Sequence, residues 1–198
     1  MAKDIFDLDC LDSVVRKIFE KGGNINLDDF NITPFEIPKD HKVLEIAINE
    51  NELYPQQIRS QIEGAVRGAE AKGCNANLYT ALYEAILNAY QHGNEKDPKK
   101  KILMSYNLGG KTADFAIIDD GGKLDSHFVA FVLLHKEGKY REKFLDFYTF
   151  THRSKPSSNN GTGTSFMYTY VDRVNYFKYK NGGLVVYLSK DYSKKHKK

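Results

Sequence analysis

The sequence predicts an α+β domain, a two-layer α/β sandwich with helices on one face of a mixed, mostly antiparallel sheet. Three observations predict it. β-rich runs are joined in pairs by Gly109-Gly110 and by Asn181-Gly182, which are hairpin signals. Two stretches with helical spacing end at Gly73 and Gly93. The elements follow one another as strand, two helices, hairpin, helix, hairpin.

Each element has a local reason. Residues 8–22 place Leu11, Val14, Val15, Ile18 and Phe19 at helical spacing before Gly22-Gly23. A polar stretch with Pro34 and Pro38 follows, so 1–40 reads as an N-terminal extension with one helix. In "KVLEIAINE" (42–50), Val43, Glu45 and Ala47 alternate with Leu44, Ile46 and Ile48, a strand pattern. Pro55 sits where a helix favours its start, and Asn75 or Asn77 can cap the next one. Runs 101–108 and 111–119 form the first hairpin, 174–180 and 183–189 the second. Between them lie an aromatic stretch (125–150), the polar loop "THRSKPSSNNGTG" and a helix over 164–173. In the aromatic stretch, Phe128, Phe131, Leu134, Phe144, Phe147, Tyr148 and Phe150 either cover the core or form a partner surface. The domain proper is expected over 41–190, with 191–198 as a basic tail.

Composition narrows the setting. With 41% hydrophobic and 28% charged residues, the chain has the balance of a soluble globular domain. No run approaches the ~20 apolar residues of a membrane span, and "MAKDIFDLDC" lacks a signal peptide's apolar core. Cys10 and Cys74 show neither metal-ligand spacing nor a disulfide framework, so a cytoplasmic, reducing setting is expected. The net charge is +3, but the last nine residues carry +4 and leave the body near −1. That balance gives no case for direct nucleic-acid binding by the body. The tail is either a solvated end or a weak contact for an acidic partner or nucleic acid.

"EAILNAYQHGN" (84–94) sets Glu84, Asn88 and His92 in one helical row, beside an apolar face of Leu78, Leu82, Ile86 and Ala89. An unpaired buried carboxylate costs several kcal/mol, so the row must face a cleft or solvent. It is either the wet side of an amphipathic helix or the wall of a site. His92 taken alone suits a helix C-terminus, where the dipole favours a cation. Downstream, "FAIIDDGGKLD" (115–125) ends a strand in Asp119-Asp120 before Gly121-Gly122. Further on, "NNGTGTSF" (159–166) sets Gly161 and Gly163 before a helix.

In this order the three motifs resemble the N, G1 and G2 boxes of the GHKL ATPases, the superfamily of gyrase and sensor histidine kinases. The resemblance runs over roughly residues 42–190. "EAILNAYQHGN" and "YVDRV" (170–174) are most similar to the anti-sigma-factor serine/threonine kinases. The resemblance implies the GHKL ATPase fold, with ATP and Mg²⁺ as cofactors. Asn88 then offers a hard carbonyl oxygen to Mg²⁺, with His92 beside it. Glu84 is implied as the general base. Asp119 is implied to accept a hydrogen bond from the exocyclic amine of adenine, which selects ATP over GTP. Gly121, followed by Gly122, lets backbone approach the base. Gly161, Thr162, Gly163 and Thr164 are implied to hold phosphates at a helix N-terminus, with Arg153 and Lys155 clamping them from a lid.

The function so implied is an ATP-binding regulator that phosphorylates serine or threonine on a protein partner and thereby switches partner binding. The implied partner is a sigma factor, an antagonist or a cognate regulator, and a homodimer is implied as well. Two other readings stand beside it: a catalytically inactive ATP-sensing interaction module, and a detached histidine-kinase-type ATPase domain. The family's G1 box reads D-x-G-x-G, and here Lys123 replaces the last glycine. It either brings a charge to the phosphates or narrows the pocket.

Overall fold

Alternating apolar residues in the two hairpins build the sheet on which everything else rests. A computed structural model describes residues 2–7, 24–29, 31–136, 146–155 and 161–192. The helix expected over 8–22, Phe144 and the tail from 193 onward lie outside the described residues. The strands are β1 (Asn24–Asn26), β2 (Lys42–Ile46), β3 (Ile102–Asn107), β4 (Thr112–Ile118), β5 (Lys123–Asp125), β6 (Arg173–Lys178) and β7 (Leu184–Asp191). The helices are α1 (Tyr54–Glu70), α2 (Asn77–Asn88), α3 (Ser126–Lys136), α4 (Phe147–Thr151) and α5 (Gly163–Tyr170).

Five strands form one sheet in the order β2-β3-β4-β7-β6, antiparallel at every step. Among the described residues the one parallel pairing is the bridge from Phe35 to Tyr179. One face of the sheet carries Met104, Phe115, Ile117, Val186 and Leu188, all buried. Against it pack Ile58 and Ile62 of α1, Leu78, Leu82 and Ile86 of α2, and Met167 of α5. Each such side chain contributes about 1.5–3 kcal/mol by leaving water. On the other face the 31–40 segment lays Phe35 over Ala116, Ile118 and Val185, held by a Phe35 N–H to Lys178 carbonyl bond of 2.7 Å.

Four local expectations differ from the structure, each for a visible reason. The strand expected over 42–50 pairs with β3 only as far as Ile46. Beyond it two α1 glutamines take the place of a neighbouring strand. The Gln61 amide bonds both the N–H (2.9 Å) and the carbonyl (2.8 Å) of Ala47, and Gln57 does the same for Asn49 at 2.7 and 2.9 Å. Neither Asn75 nor Asn77 caps α2 through its side chain; Ala76 is the cap residue. The second hairpin turns over three residues, Lys180 to Gly182, because Tyr179 pairs with Gly183 and Gly182 takes φ +85°. The helix expected over 164–173 ends at Tyr170, where Val171 turns extended and leads into β6.

Outside the main sheet, β1 pairs antiparallel with β5 in a two-stranded ribbon. Ile5, Phe6, Ile25 and Leu27 are buried in the same cluster as Leu124, Val129 and Val132.

Candidate functional site

α2 does not stop at Asn88. It continues through a π-helical turn, Ala89–Gly93, and ends at the buried Asn94. Such a turn widens the helix locally, and here Asn88, Gln91 and His92 all border one cleft. The cleft measures about 340 Å³, within the usual range for small-molecule sites. Asp119 borders it from the end of β4, and Leu124, Asp125 and Phe128 from β5 and α3. Phe147, Tyr148 and Arg153 border it together with Gly161, whose carbonyl accepts from the Phe147 N–H at 2.8 Å, and Gly163 and Thr164 border it from the head of α5. Tyr176, Leu184 and Val186 bring sheet residues to the wall.

Asp119 is 3% exposed. Its Oδ1 accepts from the N–H groups of Gly121 (2.8 Å), Gly122 (3.3 Å) and Leu184 (3.1 Å). Oδ2 has no hydrogen-bond partner among the described residues, which leaves it as an acceptor at the cleft wall. Burial pushes the carboxyl pKa up, against the opposing pull of those N–H bonds. The carboxylate fits because Gly93 lacks a side chain: a Cβ there would overlap it. Gly121 makes room for something other than a base, since the Gly93 carbonyl occupies the space its Cβ would need.

Asp120 turns away. Its carboxylate accepts from the Lys101 N–H (2.9 Å) and from the Asn181 side chain, and its own N–H donates to Asn94 Oδ1 at 2.8 Å. Asn94 also donates to the Lys101 carbonyl at 3.1 Å. The pair ties the loop after β4 to the start of β3. Lys123, at the position of the family's last G1 glycine, is the first residue of β5 and pairs with Asn26.

The other predicted residues divide between cleft and support. Glu84 is half-buried, and a Cβ on Gly163 would lie 2.5 Å from its Oε2, so its carboxylate rests against the head of α5 behind the cleft wall. It makes no hydrogen bond or ion pair among the described residues, and burial raises its pKa. His92 stays open to solvent on one side, while the protein around it lowers its imidazole pKa. Thr162 precedes α5 without a side-chain cap, and its carbonyl accepts from Phe166 N–H at 3.0 Å.

Arg153 borders the cleft but donates to Asp125 Oδ2 at 2.7 Å and lies 2.9 Å from His127 Nδ1. Burial pushes the Asp125 carboxyl up, but the Arg153 and His127 bonds outweigh it and hold it below the usual carboxylate range. Lys155 is not on the wall; it pairs at 3.0 Å with Asp146, the cap of α4. Of the aromatic stretch, Phe131 turns inward. Phe131 is fully buried and meets His135, Phe147 and Phe150 edge-on or tilted. Desolvation drops the buried His135 to about 4, so it is a neutral packing residue.

Sequence reasoning gives no role to Asn94, Asp125 or Gly183, and reads Gly93 only as a helix stop. The polar residue directly after that stop was the available signal for Asn94. For Gly183, whose Cβ would strike the Asp119 carbonyl, no local signal exists.

The residues present fit an adenine nucleotide: a carboxylate acceptor at the cleft wall, apolar residues beside it, and the backbone N–H groups of a helix N-terminus on the same cleft. The family model of histidine kinase-like ATPase domains matches residues 52–190, and the chain belongs to that family. ATP binding is the function this membership implies. No curated protein matches the chain. Among the described residues, no helix is long and apolar enough to cross a membrane, and no cluster of His, Cys, Asp and Glu could hold a metal by itself. Any Mg²⁺ here would need phosphate oxygens as well as Asn88.

Proposed function

We propose that the protein is an ATP-dependent regulator that phosphorylates a serine or threonine of a protein partner and thereby changes its hold on that partner. The observation that carries this reading is Glu84. Among the described residues it is a half-buried carboxylate without a hydrogen bond or ion pair, against the first residue of α5 and one helical turn from Asn88. An uncompensated carboxylate costs stability, which is tolerated where the group takes up a proton. MgATP supplies the phosphoryl group and the cation that offsets its charge. The chain's own residues hold and orient: Asp119 Oδ2 receives the adenine amine, Asn88 ligates Mg²⁺, the N-terminus of α5 faces the phosphates, and Glu84 takes the hydroxyl proton. The partner proposed is a sigma factor, its antagonist or a cognate regulator, engaged by a homodimer.

A second reading is an ATP-sensing module without turnover. It is favoured by the engagement of both lid cations, Arg153 with Asp125 and Lys155 with Asp146. Calorimetric titration with MgATP, followed on the same sample by γ-labelled phosphate transfer to candidate regulators, separates the two. Binding with label on serine or threonine supports the kinase. Tight binding with neither label nor ADP selects the sensor, and no binding at millimolar MgATP rejects both. Asn88→Ala should weaken MgATP binding about tenfold or more, as expected for a lost contact to a charged ligand.

A further inference from the structure

The family match begins at residue 52, yet two segments from the start of the chain are built into the cleft's support. β5 and α3 supply Leu124, Asp125 and Phe128 to the cleft, and β5 lies outside the five-stranded sheet. Its strand partner is β1. Immediately before β5, the Leu27 N–H donates to the Gly122 carbonyl at 2.7 Å. At the far end of α3, Lys136 Nζ lies 2.6 Å from Asp4 Oδ2.

Asp4 is 3% exposed. Its Oδ2 also accepts from Asn175 Nδ2 (2.7 Å), and its Oδ1 from the Phe6 N–H (2.9 Å). The Ile5 N–H donates to the Tyr176 carbonyl at 2.9 Å, and Phe6 packs edge-on against the Tyr176 ring. Phe128 meets that same ring from the α3 side. The unit from β5 to α3 is thus held at both ends by residues that precede the span matched by the family model. We propose that Asp4, through Lys136, is a positioning residue for the cleft wall formed by β5 and α3. The N-terminal segment then sets nucleotide affinity without touching the nucleotide. A buried carboxylate paired to a lysine 132 residues further along the chain serves this because it tolerates one placement: loss of either charge strands the other.

The inference rests on the cleft taking MgATP, so its test reads the wall with and without nucleotide. Full-length Asp4→Asn and Lys136→Met are compared with wild type by amide hydrogen exchange and by MgATP titration. Glu63→Gln, which removes an exposed ion pair on α1, is the control. Both test variants should exchange faster across 123–136 in the nucleotide-free protein and bind MgATP between about 2- and 30-fold more weakly. The control should match wild type in both. Lys136 is the more exposed partner, 23% against 3% for Asp4, and methionine keeps its apolar stem, so each variant tests the pair from its own side and either one that folds reads the proposal. Faster exchange with unchanged affinity would reduce Asp4 to a structural role and overturn the proposal, as would wild-type behaviour in both readouts. A wild type that binds no MgATP would remove the reading of the cleft itself, and the positioning role with it.

Discussion

Gly93 and Asp119 share one space: the carboxylate of Asp119 lies where a side chain on Gly93 would have to go. The π turn brings Gly93 there, and the Gly93 carbonyl in turn fills the place of a Cβ on Gly121. The end of α2 and the loop after β4 are therefore fitted backbone to backbone, and the acid is aimed by that fit.

Gly93→Ala should push the Asp119 carboxylate from its three N–H donors. We expect a stability loss of about 1–3 kcal/mol, typical of overpacking, and loss of MgATP binding. Chemical denaturation and calorimetry measure the two. A variant with wild-type affinity would mean that the carboxylate does not need this position.

Asp119→Asn and Asp119→Ala should separate specificity from folding. Asparagine keeps an Oδ1 for the N–H groups of Gly121, Gly122 and Leu184 and presents an Nδ2 donor in place of the accepting Oδ2. It should fold, and its preference for ATP over GTP should fall by roughly 10- to 150-fold, the worth of a charge-assisted bond. The folded pKa of Asp119 is raised, so its ionised form costs stability as pH climbs through that value. The asparagine variant should accordingly gain on wild type at neutral pH. Alanine strands buried donors and should lose about 1–3 kcal/mol. Competition of ATP against GTP, with denaturation curves at two pH values, decides the matter.

Glu84→Gln should retain MgATP binding and abolish transfer. Since burial raises the folded pKa of Glu84, its contribution to stability is fully present below the ordinary glutamate pKa, about 4.3, and is lost as pH rises through the folded value. The variant should be more stable than wild type by about 0.5–2 kcal/mol at pH 7, with the difference closing below about pH 4. Equal phosphate transfer by the two proteins would sink the base assignment.

Arg153 is tied down by Asp125, with the two side chains 43% and 30% exposed. A pair this open to solvent holds by about 0–1 kcal/mol. Asp125→Asn should release the guanidinium for phosphate and tighten MgATP binding up to about fivefold, whereas Arg153→Met should weaken it. Titrations of both variants at low and high salt check the signs. If both variants bind as wild type does, Arg153 is no clamp.

What could be read from the chain and what could not follows from range. The row Glu84, Asn88, His92 is legible because four-residue spacing is a property of one helix, and the hairpins are legible from their glycine turns. The choice between Asp119 and Asp120 is not, because both end the same strand and only Gly93, Asn94 and Asn181 from other elements sort them. β1 and β5, three residues each, are too short to show alternation and exist through their pairing. Likewise the strand pattern over 42–50 is real, yet half of it is completed by side chains from α1 rather than by a strand.

Those side chains, Gln57 and Gln61, bear on how the protein behaves among its own copies. Each amide offers one donor and one acceptor, the same pair a β-strand residue presents, and together they close four main-chain valences at Ala47 and Asn49. The run Leu44 to Ile48, apolar but for Glu45, is a segment of the kind that recruits another chain once its backbone is free. A helix glutamine here thus acts as a chain terminator for the sheet, so solubility is written partly into residues that no hydrophobicity scan of the strand would inspect.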